Sequence, residues 1–342
     1  MNQSVPRKVA GHIFMNGRMV KGTLVIGDQV TFKEGMDSDA ALGTMIPSFI
    51  NSHTHVGDSF VDIEPTGGVA EVVGPGGLKH RMLEGADTER IREGIRNSVR
   101  IMEETGTASF IDFRESGVKG LKLLSEMNFD SIRPVILGRP ANEREIGEIA
   151  RTADGFGMSS VSDHEKEFLL KVRDAARKSG KIFAIHFSEN VREDINFLKD
   201  LRPDLLIHCI ETSSSDLAAI KAIGCPVAIT AHSNIFFGKR PDYSRFTSAG
   251  IELMLGTDNC MITPPDMFAE MSLLYYYQRG LSRISPEHII EAATEAPRRF
   301  LERHNLSVRE SYVFFPNALL NAYEAVTRGA YYHRQLISAE LR

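Results

Sequence analysis

Five polar side chains in this sequence stand directly after apolar runs, and their types are those of a metal site. The first run ends in Asn51-Ser52-His53-Thr54-His55, later ones in His186 and His208, and the last in Asp258. Successive side chains of a strand alternate faces, so His53 and His55 share one face and can address a single ion. With His186 and Asp258 they form a set of three imidazole nitrogens and one carboxylate. That set suits one divalent ion, zinc first, although Fe2+ and Mn2+ accept the same donors. A lone HxH pair is common on surfaces and in cores. It gains weight here because the other donors also sit at strand ends.

The elements that must position these groups follow from the pattern around them. Eight apolar runs read as strands, at 45–52, 108–113, 132–137, 157–161, 182–187, 205–208, 226–230 and 253–257. Between them lie segments with helical spacing, such as Ile91, Ile95, Val99 and Met102 before Gly106, or Phe168, Leu169, Val172 and Ala176 before Gly180. Such alternation implies a parallel sheet with crossover helices, and a doubly wound open sheet fits it as well as a barrel does. The polar residues decide for the barrel, whose chemistry gathers at the C-terminal ends of its strands. Shorter strand-like runs at 12–15, 22–26 and 30–32, separated by the turn signals Asn16-Gly17 and Gly27-Asp28, precede it. Similar runs follow it at 312–315 and 330–332. The expected architecture is a (β/α)8 TIM barrel over 46–304, with a small β-sandwich-like domain built from 1–45 and 305–342.

Composition excludes several partners. The 342 residues are 42% hydrophobic and 25% charged, with a net charge of -5. There is no long basic run for nucleic acid or an anionic membrane, and no apolar stretch of the ~20 residues needed to span a bilayer. Cys209, Cys225 and Cys260 lack CxxC spacing, which argues against disulfides and thiolate zinc. The first 22 residues lack the apolar core of a signal peptide. A cytoplasmic protein acting on a small-molecule substrate is expected, and a homo-oligomer is compatible with this composition.

Pro47-Ser48-Phe49-Ile50-Asn51-Ser52-His53-Thr54-His55 and Leu255-Gly256-Thr257-Asp258-Asn259 resemble the first-strand and eighth-strand motifs of the amidohydrolase superfamily. The resemblance covers most of the chain and is to the mononuclear deaminase branch, which includes cytosine, adenosine and S-adenosylhomocysteine deaminases and chlorohydrolase-like proteins. Binuclear members end the fourth strand in a lysine; Met158-Ser159-Ser160-Val161 stands there instead. His186-Phe187-Ser188-Glu189 matches the branch's HxxE motif. The resemblance implies hydrolytic deamination of an aminated heterocycle, nucleobase-like or nucleoside-like, with release of ammonia. Asp258 would take a proton from water, Glu189 would hydrogen-bond to substrate and protonate a ring nitrogen, and His208 would stabilise the developing oxygen charge.

Thr230-Ala231-His232-Ser233-Asn234 is similar to the family's substrate loop, although Thr230-Ala231 replaces a frequent Cys-Pro, and His232 and Asn234 are candidate substrate contacts. His80, in Leu78-Lys79-His80-Arg81 after the glycine-rich Gly74-Pro75-Gly76-Gly77, and Arg114, beside Glu115 at the end of the second strand, are further candidates. The segment from Asn321 to Gly329 resembles a β segment of the family's tail. Two rival readings share the ligands: a cyclic amide or imide hydrolase of the same superfamily, and a non-catalytic metal-binding barrel.

Overall fold

The computed structural model describes residues 6–27 and 29–339. In it the run at 45–52 is not one strand. Pro47 ends one strand and Phe49 begins another, and at the break Ser48 N donates to Ser311 O at 2.9 Å while Phe49 N donates to Gly106 O at 3.0 Å. The two halves therefore serve different sheets.

Numbered in chain order, β1 (Lys8–Met15), β2 (Arg18–Ile26), β3 (Val30–Glu34) and β4 (Ala41–Pro47) come first. They are followed by β5 (Phe49–His55), β6 (Thr107–Arg114), β7 (Arg133–Gly138), β8 (Gly155–Met158) and β9 (Ile182–Phe187). Then come β10 (Leu205–His208), β11 (Val227–Ile229), β12 (Leu253–Leu255), β13 (Asp258–Asn259), β14 (Ser311–Pro316) and β15 (Gln335–Ser338). One sheet has six strands from both ends of the chain, in the order β15-β14-β4-β1-β2-β3. The other has nine parallel strands in the order β12-β11-β10-β9-β8-β7-β6-β5-β13.

The two edge strands of this larger sheet, β12 and β13, are consecutive in the chain and separated only by Gly256 and Thr257, so the sheet must curl to bring its ends together. Asn51 at the join donates from Nδ2 to Thr257 Oγ1 at 2.7 Å and accepts from Thr257 N at 3.0 Å. Gly256 is required by close approach, since a Cβ there would lie 2.6 Å from His53 N. Inside the curl, Ile50, Ile111, Val135, Ile182, Ala184, Leu205, Ile207, Ala228 and Met254 form one buried cluster. On β9 the inward positions run Ile182, Ala184, His186, so the alternation that builds the core delivers a histidine at its top.

Helices fill the connections as their patterns predict. Thr88–Glu104 starts at Asp87, whose side chain accepts from Glu89 N, and Lys166–Ser179 stops at Gly180, which takes φ 64°. Other expectations are corrected. The fourth strand is Gly155–Met158, starting earlier and ending before Ser159, and Gly155 and Gly157 let it pack closely against Ile182 and Phe113, where a Cβ would clash. The eighth is divided at Gly256. The segment resembling a tail β strand is the helix Ala322–Arg328, started by a capping box between Asn321 and Glu324. The run at 330–332 belongs largely to a 3-10 turn, Gly329–Tyr331, while the last strand lies at Gln335–Ser338. The turn at Asn16-Gly17 forms between β1 and β2; Asp28 of the second turn signal lies outside the described residues. No helix among the described residues is long and apolar enough to cross a membrane.

The join gives a stability prediction. Asn51→Ala strands the buried Thr257 N–H and hydroxyl, each unpaired group costing about 1–3 kcal/mol, so urea denaturation should show a loss of about 2–4 kcal/mol. A loss within 0.5 kcal/mol, the size of ordinary surface substitutions, would mean that the sheet closes without this amide.

Candidate metal centre and active site

β5 carries His53 and His55, β9 carries His186, and β13 carries Asp258, and curling the sheet brings the four together. One donor atom from each lies within 4.8 Å of the others. His53 Nε2 is 3.2 Å from His186 Nε2 and 3.2 Å from Asp258 Oδ1, and His55 Nε2 is 3.4 Å from the same oxygen. All four residues are buried. Asp258 and His208 hold left-handed backbone angles, φ 64° and 67°, which cost energy for non-glycine residues and turn their side chains off the strand direction.

Hydrogen bonds on the far side of the rings decide which nitrogens are free. His186 Nδ1 donates to Met158 O at 2.7 Å; His55 Nδ1 lies 3.1 Å from Phe113 O and 2.5 Å from Glu115 Oε1. Those acceptors place the ring protons on Nδ1 and leave Nε2 lone pairs facing inward. Burial pushes His53 down to about 3 and His186 well below the usual histidine range, so both rings are neutral. Burial would raise Asp258, but its hydrogen bond with His53, together with the neighbouring His208 and His55, holds it well below the usual carboxylate range. Three inward-facing imidazole nitrogens and one carboxylate are a donor set that fits a divalent cation.

A second layer supports this set. Lys79 Nζ is 2.5 Å from Glu115 Oε1, the oxygen that holds His55, and donates to Asn259 Oδ1 at 3.0 Å. Asn259 in turn donates to Asp258 Oδ1 at 2.9 Å. Burial works against the Glu115 charge, but Lys79, His55 and Arg114 keep its carboxyl well below the usual range. In sequence the strand-end rule places Glu115 at the cavity mouth, as a substrate contact or a rim ion pair, and Lys79 reads as a cation facing solvent or reaching a polar part of the substrate. Support of a ligand ring is a role that the sequence reading gave to neither, and Lys79 enters from the helix Leu78–Gly85.

A cavity of about 150 Å³ opens over the centre. His55, His186, Glu189, His208, Asp258 and Asn259 are among its lining residues, and Val69 to Pro75 contribute from the long connection after β5. Glu189 Oε2 is 3.5 Å from His208 Nε2, which is 3.8 Å from Asp258 Oδ2. Burial raises Glu189 above the usual glutamate range, with the Asp258 charge adding to the rise and His208 opposing it. A carboxyl shifted in this direction holds its proton to higher pH than a free glutamate, as a group acting as an acid must.

Four residues expected at the substrate are not among those lining this cavity. Arg114 is buried, donating to Glu115 Oε2 at 3.1 Å and lying 3.6 Å from Asp112. His80, on the helix Leu78–Gly85, accepts at Nδ1 from Gly76 N at 3.0 Å in the turn just before that helix. His232 Nδ1 is 2.5 Å from Glu270 Oε2, a fully buried carboxylate on the helix Met267–Arg279. Asn234 lies beneath His208, its Nδ2 3.2 Å from His208 Nδ1. Arg139, which sequence reasoning passed over although it directly follows β7, does line the cavity, and its Nε donates to Gly157 O at 3.1 Å.

Comparison with known proteins agrees with this geometry. A model described as "Amidohydrolase family" matches residues 44–308. A protein of Archaeoglobus fulgidus named "Putative aminohydrolase" is 32% identical over 309 residues, covering 89% of this chain and 89% of that protein. A "5'-deoxyadenosine deaminase" of Methanosarcina mazei is 26% identical over 303 residues, covering 75% of this chain and 68% of that protein. In fold, the chain is similar to the aminofutalosine deaminase of Helicobacter pylori, with a TM-score of 0.77 at 16% identity, covering 97% of this chain and 98% of the other.

Supporting carboxylates of ligand histidines typically change metal affinity by about 10–100-fold. Glu115→Gln should raise the zinc dissociation constant by that factor in a chelator competition, and His232→Ala should leave it unchanged. Equal affinities in wild type and Glu115→Gln would remove Glu115 from the support of the ion.

Proposed function

Because the chain belongs to the amidohydrolase family and is a hydrolase of carbon–nitrogen bonds other than peptide bonds, we propose that it deaminates an aminated heterocycle of nucleobase or nucleoside type, converting C–NH2 and water to C=O and ammonia. The observation that carries this reading is the protonatable, buried Glu189 beside His208 and Asp258 on the cavity floor. A single ion is the second element. β8 ends without a lysine, and its last carbonyl, Met158 O, is engaged by His186. Zinc is the ion that the three-imidazole, one-carboxylate set suits first. In this reading the curled sheet is a (β/α)8 barrel whose eighth strand is β12 plus β13, and the terminal sheet belongs to a β-sandwich-like domain of 1–45 and 305–342.

His53, His55, His186 and Asp258 would hold the ion, which when bound supplies a water acidic enough to ionise near neutral pH. Asp258 Oδ2, the oxygen on the His208 side, would be the acceptor for a proton of the attacking water. Glu189 gives its proton to the ring nitrogen beside the amino-bearing carbon as the water oxygen bonds to that carbon; Asp258 passes the proton it took to the amino nitrogen, the C–N bond breaks with loss of ammonia, and the remaining hydroxyl proton returns to Glu189 as C=O forms. His208 donates from Nε2 to the oxygen that gains charge, a kind of contact worth about 3 kcal/mol in comparable sites. Burial of all three groups excludes water from competing for these bonds.

The test is ammonia release by zinc-loaded enzyme over a panel of aminopyrimidines, aminopurines and adenosine nucleosides, 5'-deoxyadenosine included. Turnover on at least one aminated ring is expected, and Glu189→Gln should lower kcat by about 10²–10⁴-fold with zinc content unchanged. Activity confined to unaminated lactams would replace deamination by ring opening.

A further inference from the structure

We propose that Asn234 and Tyr243 are positioning residues that fix the tautomer of His208, holding its single ring proton on Nε2, toward the cavity. The tautomer follows from the structure alone; its catalytic consequence rests on the deaminase reading.

The argument begins at the buried end of a hydrogen-bond chain. Tyr243 is 0% exposed, and burial, with the Glu270 charge adding, pushes its hydroxyl well above the usual range, so the hydroxyl keeps its proton. Among the described residues that hydroxyl has one hydrogen-bond partner, Asn234 Oδ1, at 2.7 Å. A buried hydroxyl left without an acceptor is penalised, so Tyr243 donates and Asn234 Oδ1 accepts. The amide is thereby oriented, and its Nδ2 is the atom 3.2 Å from His208 Nδ1. An N–H donor aimed at Nδ1 requires a lone pair there, so the ring proton is on Nε2. Thr230 Oγ1, also 3.2 Å from Nδ1, is compatible because a hydroxyl can turn its proton either way. Tyr243 is itself held, its backbone N donating to Gln278 Oε1 at 3.0 Å.

His208 Nε2 is the nitrogen that faces Glu189 and Asp258. With its proton there His208 is a donor to an oxygen gaining negative charge. With the proton on Nδ1 it would present a lone pair to that oxygen and repel it. Asn234 therefore acts through His208 rather than on substrate, and Tyr243 acts through Asn234.

The test reads the tautomer directly, by 15N NMR of zinc-loaded protein labelled at histidine, with the His208 signals identified by their loss in His208→Asn. Wild type should show an unprotonated Nδ1 and a protonated Nε2. Asn234→Asp, which places an acceptor where Nδ2 stood, should put a proton on Nδ1 and lower kcat about 10²-fold, the size of losing one such donor, with KM and zinc content unchanged. Tyr243→Phe, which frees the amide to flip, should lower kcat about tenfold, the scale of one hydrogen bond, and mix the two tautomers. It also serves if Asn234→Asp does not fold. A wild-type Nδ1 that carries the proton overturns the proposal, as do variants whose spectra match wild type. The predicted tautomers in a protein that releases no ammonia from any substrate would uphold the positioning and overturn the deaminase reading instead.

Discussion

The Asn51 amide and the Thr257 backbone and hydroxyl bond to each other where the two ends of the large sheet meet. Parallel strands leave their carboxyl ends on one side, and only closure turns that side from a line into a ring. Without it, Asp258 on one edge strand and His186 near the middle of the sheet would be many strand spacings apart. Gly256 is part of the same constraint, since the chain must cross the backbone of His53 too closely for any side chain. The residues that close the sheet are thus close sequence neighbours of the residues able to hold an ion, and stability and site geometry are set together.

Burying so many ionisable groups is unfavourable unless each is paired or neutral. The protein uses both solutions. His53 and His186 are driven neutral by burial, while Asp258 and Glu115 stay charged among cations and histidines. Glu189 takes a third course: burial and the nearby Asp258 charge raise it, separating its behaviour from that of a carboxylate a few ångströms away. Two carboxyl groups with opposite shifts in one cavity are what a reaction needs when it must both accept and donate a proton.

Beneath this layer, several groups act by holding others. Glu115 and Met158 O hold ligand rings, Asn259 holds Asp258, and Asn234 holds His208. Lys79 ties Glu115 and Asn259 to the connection after β5, whose residues Val69 to Pro75 also line the cavity. The cavity lining and the supports of the ion therefore share one segment of chain.

His53, His55, His186, His208 and Asp258 were legible in the sequence because each follows an apolar run, and period-two alternation assigns a face without knowledge of what lies opposite; Glu189 was marked only by the motif it shares with the family. The family resemblance was legible for the same reason, since its motifs are short and local. The sequence alone also determined the alternating elements, with errors where a single glycine or serine interrupts a run, as at Gly256 and Ser48. What only the tertiary structure decided was the partner of each side chain. Arg114, His80, His232 and Asn234 had the right types near the right strands, yet their contacts are with Glu115, Gly76, Glu270 and His208. Lys79 was legible only as a cation near the cavity and Tyr243 carried no local signal, for their roles depend on atoms 180 and 9 residues away that folding brings within hydrogen-bond reach. Local pattern specifies which face a residue takes; only packing specifies what that face meets.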